Sequence, residues 1–378
     1  MNYIKTTYHK ILYGTIRMPE TLQGNYYPVM DGMRGMAILM VLLAHLGLNR
    51  YLWKFKFYLV SNTGVSMFFV ISGFLITTLL FKELLRTGEI SLKRFYIRRA
   101  LRILPVAYLF LLVLIVLNHV YSLHIKGADF MASFLFYKNL PMPNEPYTAH
   151  FWSLAVEGQF YLTFPFLMAV NPNRYIAAAI GIAVIVPAIV IFNHLGLGVL
   201  HNNTVGIVLS KFCKYAFWKG PVMILTGSVF AILMFKGVLK PEKLRVNFFT
   251  SFILWLLGIE ITAVNFPFYT KYVSEYISVL LISASVTLSI GRESFLSCLL
   301  NNAILRRIGV LSYSIYIWQE LFIGTWQPWL HPLAGNPEWL IMIIKLLAIA
   351  ASVTMSYLLE SVFLNIKDRY KYNNRTIS

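Results

Sequence analysis

Arg34 and His45 have the clearest capacity for chemistry in this sequence, because these two polar residues lie eleven positions apart in an apolar stretch. At about 100° per residue, eleven residues return to within about 20° of the starting direction, so one helix face carries both side chains roughly 16 Å apart. Ionisable groups in a membrane helix are costly and mark candidate functional sites, and an imidazole can take a proton from a hydroxyl group. Two structural alternatives stay open: Arg34 extends to the lipid headgroups, or His45 is a buried packing residue.

Arg99 and Arg102 form a second candidate, near the end of a basic run that begins at Lys93. They are one helical turn apart, so both guanidinium groups face the same side and suit bidentate contacts to phosphate. Basic residues at a cytoplasmic helix end also set topology and bind anionic lipid, and that interpretation stays open for this pair.

A third candidate is the polar face formed by Ser153, Glu157 and Tyr161, which follow one another at intervals of four residues. On a helix, their hydroxyl, carboxylate and phenol groups line one side. The carboxylate would orient a histidine, position an acceptor, or hold helices together by hydrogen bonds. Trp152 and His150, at the start of the same segment, fit an interfacial aromatic belt.

Two further segments carry small or polar residues. Gly64 and Gly73 favour close helix packing over chemistry. The segment from Ser312 to Glu320 is enriched in polar and aromatic residues, among them Tyr316 and Gln319. The sequence contains no Ser-His-Asp order, phosphate-binding loop, dinucleotide fingerprint or zinc motif, and we expect no metal.

Membrane helices must position these residues. Of the 378 residues, 58% are hydrophobic and 13% are charged, about half the charge of a soluble protein. Apolar windows of about 20 residues recur, and backbone groups in lipid must pair within their own segment, so helices rather than strands are predicted. The predicted fold class is all-α, a polytopic integral membrane protein with about ten transmembrane helices. The predicted spans are 29–48, 62–81, 103–121, 150–170, 175–193, 217–235, 248–264, 274–290, 308–325 and 339–363.

The distribution of the 33 Lys and Arg residues predicts that both termini are cytoplasmic, since most of them then fall on that side. Lys211, Lys214 and Lys219 fall outside, against this bias. We therefore assign the net charge of +18 to topology and to the lipid bilayer as partner, and we expect no nucleic acid. The predicted division is a cytoplasmic segment 1–28, a membrane domain 29–363 and a basic cytoplasmic tail 364–378.

Four blocks, in order, carry a resemblance to a known family: 31–35 with His45, 64–76, 95–105 and 151–161. Two later blocks, 312–318 and 360–363, match as well. The chain resembles membrane acyltransferase family 3, the O-acyltransferases that modify cell-envelope and secreted glycans. The shared order and spacing extend over nearly the whole chain.

The resemblance implies a ten-helix domain of the bacterial inner membrane that takes an acyl group from cytoplasmic acyl-CoA. Acetyl-CoA is the default donor, and the acceptor is commonly a sugar hydroxyl of a glycan at the outer face. Matched by motif, His45 becomes the catalytic histidine, Arg34 its paired arginine, and Glu157 an acidic site residue. Arg99 and Arg102 become the charged pair after the second span.

The resulting hypothesis places the CoA phosphates on Arg34, Arg99 and Arg102, and the thioester near His45, which acts as general base on the acceptor hydroxyl. The residues that we expect to bind the acceptor are Trp152, Ser153, Tyr161, Tyr316 and Gln319. Gln319 departs from the family pattern, since many members have histidine there. The competing hypothesis is a proton-coupled transporter or flippase that uses Arg34, His45 and Glu157 as a polar pathway.

Overall fold

The computed structural model describes residues 10–47, 61–141, 145–197, 203–263, 271–322, 327–333 and 335–368. Within these ranges the secondary structure is helical, with no strand, which confirms the all-α prediction. Parts of the predicted terminal segments, residues 1–9 and 369–378, lie outside the described residues, as do residues 323–325 of the ninth predicted span. Residue 48 of the first span, residue 264 of the seventh and the side chains of the 360–363 block also lie outside them.

Thirteen α-helices are described in these ranges, with one π-helical segment, Lys214–Trp218. They are α1 Pro28–His45, α2 Ser61–Thr87, α3 Leu92–Val120, α4 Gly127–Phe134, α5 Phe151–Val170, α6 Pro172–His194, α7 Thr204–Cys213, α8 Pro221–Phe235, α9 Thr250–Ala263, α10 Lys271–Gly291, α11 Phe295–Leu300, α12 Ala303–Trp318 and α13 Glu338–Asp368. Short 3-10 turns add Glu20–Leu22, Pro146–Thr148, Pro241–Lys243, Gln319–Leu321 and Pro328–Leu333.

Each predicted span overlaps a described helix, but the helices differ in length. Within the described residues, seven helices are long and apolar enough to cross a membrane. The number is eight if α7 and its π-helical segment form one bent span with α8. The 14 residues of α9 and the 16 of α12 are fewer than the about 20 that a full crossing needs. The count of ten and the orientation of the termini therefore stay predictions.

The prediction of one uninterrupted span over 217–235 is wrong. The chain bends by 66° between the segment ending at Trp218 and the helix that begins at Pro221. Pro221 lacks a backbone N–H and cannot continue a helix from the preceding turn, which explains the break. The ninth span is also displaced, because α12 begins at Ala303 and gives way to a 3-10 turn after Trp318.

The described chain forms two compact units. Unit one comprises residues 1–90 and 164–310, and unit two comprises residues 91–163 and 311–378.

Close helix packing in unit one depends on glycine. A Cβ atom on Gly73 would lie 1.8 Å from the Ile224 carbonyl oxygen, and one on Gly227 would lie 2.1 Å from that of Val70. Because the contacted atoms belong to the backbone, no rotamer change could make room. The predicted packing role of Gly73 is thereby confirmed, and α2 and α8 lie in backbone contact.

Glycines also allow backbone contact at the start of α1. A Cβ on Gly32 would lie 2.0 Å from the Leu300 carbonyl oxygen, and one on Gly35 would lie 2.2 Å from that of Leu305. The glycines of the 31–35 block therefore let the first turns of α1 touch the backbone at the end of α11 and the start of α12.

Within unit one, buried lysines bind the N-terminal segment. The Lys82 ammonium, near the end of α2, donates to the carbonyl oxygens of Gln23 and Gly24 and to the Tyr27 phenol oxygen. Lys236, just after α8, donates to the carbonyl of Gly14, and burial lowers its pKa. The segment before α1 is thus tied to two helix ends.

Candidate active site

Helix α1 carries both members of the first predicted pair. Arg34 lies in its second turn and is partly buried, and His45 is its last residue. We expected His45 near the middle of a span that continues to residue 48, but Gly47 adopts a φ of +83° and the helix ends before it. The two side chains still share one continuous helix, so the predicted axial separation of roughly 16 Å applies.

His45 carries an unpaired polar atom. Its Nδ1 is buried and has no hydrogen-bond partner among the described residues. A buried polar atom left without a partner costs about 1–3 kcal/mol. This nitrogen is therefore a natural contact point for a bound molecule.

A polar group surrounds the start of α1. Asp31 lies in the first helical turn, and its carboxylate interacts with the Tyr26 phenol, as does Arg306 of α12. Burial raises the pKa of Tyr26, Asp31 raises it further, and Arg306 opposes the rise. Sequence reasoning missed Arg306, whose Nε is buried without an acceptor among the described residues. Its position, one turn before Gly309, gives no local signal of this contact.

In unit two, Arg99 is held over aromatic rings. Its guanidinium carbon lies 5.6 Å from the centroid of the Phe95 ring and 5.2 Å from that of Tyr161. Glu157 attracts this cation, while Arg98 and Arg102 repel it. Three cations near one carboxylate favour a polyanionic ligand such as a phosphate group.

The polar face of α5 forms as its spacing predicts. The Tyr161 phenol donates a hydrogen bond to the Glu157 carboxylate one turn away. Ser153 Oγ lies 2.8 Å from the Tyr316 phenol oxygen and donates to the His150 carbonyl at 3.1 Å. The structure therefore brings Ser153 of α5 into contact with Tyr316 of α12, although the two residues are 163 positions apart in the sequence.

His150 and Glu320 form a buried acid–base pair that sequence reasoning missed. His150 Nδ1 lies 3.8 Å from Glu320 Oε2, and their side chains are 5% and 15% exposed. The sequence only suggested an aromatic belt for His150 and an enriched segment for Glu320, and neither pattern predicts the contact. Ser153 bonds to the carbonyl of His150 and to Tyr316 rather than to the imidazole, so this arrangement is no Ser-His-Glu relay.

Gln319 is the most unusual polar residue of unit two. It is fully buried, and neither atom of its side-chain amide has a hydrogen-bond partner among the described residues. The Nε1 of the neighbouring Trp318 is also buried without a hydrogen-bond partner among the described residues. The centroid of the Trp318 ring lies 5.7 Å from that of Phe110. The His150 ring also packs on Phe110, at 5.2 Å, which places both residues around one aromatic side chain.

The predicted site residues thus fall into two sets. Unit one contains Arg34 and His45, and unit two contains Arg99, Arg102, Ser153, Glu157, Tyr161, Tyr316 and Gln319, with Trp152 partly buried at the start of α5. In the part of the chain that the structure describes, no group of three or more His, Cys, Asp or Glu side chains is arranged to hold a metal ion.

Comparison with known proteins gives a family and several relatives. A family model described as an acyltransferase domain matches residues 27–360. Peptidoglycan O-acetyltransferase OatA of Listeria monocytogenes serovar 1/2a is 27% identical over 338 residues, which cover 80% of this chain and 50% of that protein. The "Putative peptidoglycan O-acetyltransferase YrhL" of Bacillus subtilis (strain 168) is 28% identical over 367 residues, 89% of this chain and 55% of that protein.

The chain therefore spans about half the length of these curated relatives. No solved structure matches it. Since the family model covers the segments that contain both sets of site residues, the chain belongs to the acyltransferase domain family, also called membrane acyltransferase family 3.

Proposed function

We propose that the chain is a membrane O-acetyltransferase that moves an acetyl group from cytoplasmic acetyl-CoA to a hydroxyl group of an envelope glycan. Family membership and the O-acetyltransferase names of the relatives support the reaction class. The observation that carries the proposal for this chain is the buried polar cluster of unit two, where Gln319 lacks a partner among the described residues. A polar acceptor would supply the missing hydrogen bonds.

In the proposed reaction, His45 acts as general base on the acceptor hydroxyl. The hydroxyl oxygen attacks the thioester carbonyl, a C–O bond forms and the C–S bond breaks. The proton taken by His45 then passes to the departing CoA thiolate, which leaves as a thiol. The buried Nδ1 of His45, which has no hydrogen-bond partner among the described residues, suits this role, because the acceptor hydroxyl would complete its hydrogen bonding.

Arg34 is proposed to bind CoA phosphate at the start of α1. The N-terminal end of a helix attracts anions through its free N–H groups and dipole, and Arg306 adds a second cation beside Tyr26, which also contacts Asp31. The roughly 16 Å between Arg34 and His45 along α1 is comparable to the reach of the pantetheine arm from phosphate to thioester.

Arg99 and Arg102 are proposed as phosphate ligands of unit two. Their mutual repulsion, offset by Glu157, is relieved when an anion binds. The rings of Phe95 and Tyr161 hold the Arg99 guanidinium, whose planar N–H groups suit bidentate contact with a phosphate.

The acceptor is proposed to contact the unit-two cluster. Sugars present hydroxyl groups that both donate and accept, which matches the Ser153–Tyr316 hydroxyl pair and the Gln319 amide. Tyr161 and Trp152 supply aromatic surface, and Glu157 would orient the acceptor. An amide at position 319 can satisfy the same donor or acceptor as the histidine that many family members carry.

The decisive experiment compares His45→Ala with His119→Ala in purified, reconstituted protein. His119 is an exposed histidine in the last turn of α3 and is the matched control. With labelled acetyl-CoA and a glycan fragment, we expect His45→Ala to lower the transfer rate by at least about 100-fold, and His119→Ala to leave it unchanged.

Full transfer by His45→Ala would refute the general-base role. If the unmodified protein released no CoA thiol and instead showed substrate-driven proton flux in liposomes, the transferase proposal would fail in favour of transport.

A further inference from the structure

Four lysines of unit one lie around the bend between α7 and α8, and we call them the lysine surface: Lys211, Lys214, Lys219 and Lys271. Lys211 and Lys219 are exposed, and the Lys271 side chain is 74% exposed. The Lys214 ammonium lies 4.6 Å from the centroid of the Tyr272 ring, which brings the start of α10 beside the π-helical segment. Lys214 and Lys271, which belong to two elements, therefore lie close together.

An exposed apolar sector adjoins these lysines. Helix α7 buries Gly206, Ser210 and Cys213 on one side. At about 100° per residue the apolar residues that are more than half exposed lie together on another side, and Lys211 and Lys214 fall between the two sectors. The residues of this sector are Val205 (71%), Val208 (59%) and Phe212 (58%). Ile207 and Leu209, each 39% exposed, lie outside it, Ile207 beside the lysines and Leu209 beside the buried side. This division is typical of a helix at a lipid–water interface.

Within the described ranges, the charge of this surface is largely uncompensated. Glu275 is the one acid found to pair with these lysines there, and its Oε1 lies 3.9 Å from the Lys271 ammonium. The other oxygen of Glu275 accepts a hydrogen bond from Trp218 Nε1 at 2.8 Å. Four lysines against one carboxylate leave about three positive charges, and the predicted orientation places them outside, where topology does not call for lysine.

The bend that creates the surface is held by packing. Trp218, at the end of the π-helical segment, is buried against Val186, Val190 and Val222, and its ring lies 5.3 Å from that of Tyr272. π-helical turns within helices frequently occur at functional sites. The core thus holds the backbone segment that carries Lys214 and Lys219.

We propose that the lysine surface binds the phosphate of an anionic lipid headgroup, with the lipid chains along the apolar sector of α7. Lysine ammonium groups are compact charges suited to phosphate. The adjoining apolar sector favours a lipid over a soluble phosphate ester, because only a lipid contacts both. This binding is separate from acetyl transfer and does not depend on it.

The test measures lipid binding rather than activity. The variant Lys211→Gln/Lys219→Gln removes two exposed ammonium groups, and Lys240→Gln/Lys243→Gln, exposed near the opposite end of α8, is the matched control. Each protein is placed in neutral detergent, and phosphatidylglycerol is titrated while bound lipids are counted by native mass spectrometry. We expect roughly 30-fold weaker binding in the first variant and little change in the control.

Equal loss of binding in both variants would overturn the proposal, since it would show only a general charge effect. Soluble glycerol phosphate serves as the second probe. If it bound as tightly as phosphatidylglycerol and with the same dependence on Lys211 and Lys219, the lipid assignment would be wrong and the surface would be a site for free phosphate esters.

Discussion

Substitution of Gly309 by alanine tests whether backbone contact positions the start of α1. A Cβ at this position would lie 1.8 Å from the Asp31 carbonyl oxygen, and real Cβ atoms essentially never approach a heavy atom within 3.0 Å. The two backbones must therefore separate by at least about 1.2 Å. This shift would move Asp31 and the turn that contains Arg34 away from Arg306.

The expected magnitude follows from two opposing effects. Alanine in place of glycine favours a helix by about 1 kcal/mol, whereas overpacking costs about 1–3 kcal/mol and occasionally more. Because the contacted atom is backbone, we expect the upper part of that range and a net destabilisation of about 2 kcal/mol. A misplacement near 1 Å can also lower activity by up to about 100-fold.

The assays are thermal or denaturant unfolding of the purified protein and acetyl-CoA-dependent thiol release. Gly181→Ala in α6 is the control, because its Cβ would meet nothing closer than the Ile185 Cδ1 atom at 4.0 Å. We expect this control to keep activity and to be as stable as the unmodified protein or more so. If Gly309→Ala matched the control in both stability and KM for acetyl-CoA, the proposed backbone contact and its role in positioning Arg34 would be wrong.

Two further predictions concern unit two. Gln319→Leu removes buried amide atoms that lack partners among the described residues, so it should raise the free energy of unfolding by about 1–3 kcal/mol. The same variant should raise the KM for the acceptor, whereas Gln319→His should keep acetyl transfer. A Gln319→Leu variant with a normal acceptor KM would exclude contact between Gln319 and the acceptor. Lys138→Met leaves the buried Asp129 carboxylate without its ion-pair partner and should lower the free energy of unfolding by about 3–5 kcal/mol. Lys126 is exposed, so the control Lys126→Met should change it little. Equal melting temperatures of these two variants would contradict a structural role for the Lys138–Asp129 pair.

Local patterns in the sequence predicted the helices and the polar faces upon them. Hydropathy alone located the long apolar helices, and the four-residue interval between Glu157 and Tyr161 predicted a shared face that their hydrogen bond displays. Both features depend on residues within one segment, where helix geometry fixes the relation between spacing and direction.

Contacts between distant segments could not be predicted in this way. His150 precedes α5 and Glu320 follows α12, and Arg306 reaches Tyr26 from the other end of the sequence of unit one. No periodicity connects such pairs, since their proximity results from tertiary packing. The bend before Pro221 is different, because the Gly220–Pro221 dipeptide was a local signal of a helix break within the predicted span.

The hydrogen bonds from Lys82 to the N-terminal segment determine how the sequence of that segment can vary. Two of the three acceptors of its ammonium group are main-chain carbonyls, of Gln23 and Gly24, and the third is the Tyr27 phenol. A lysine that binds carbonyl oxygens recognises the path of the chain rather than the identity of its side chains. Residues 23 and 24 are therefore free to change in sequence so long as the backbone returns to the same place, whereas a shortened segment would leave a buried ammonium ion with fewer of its acceptors.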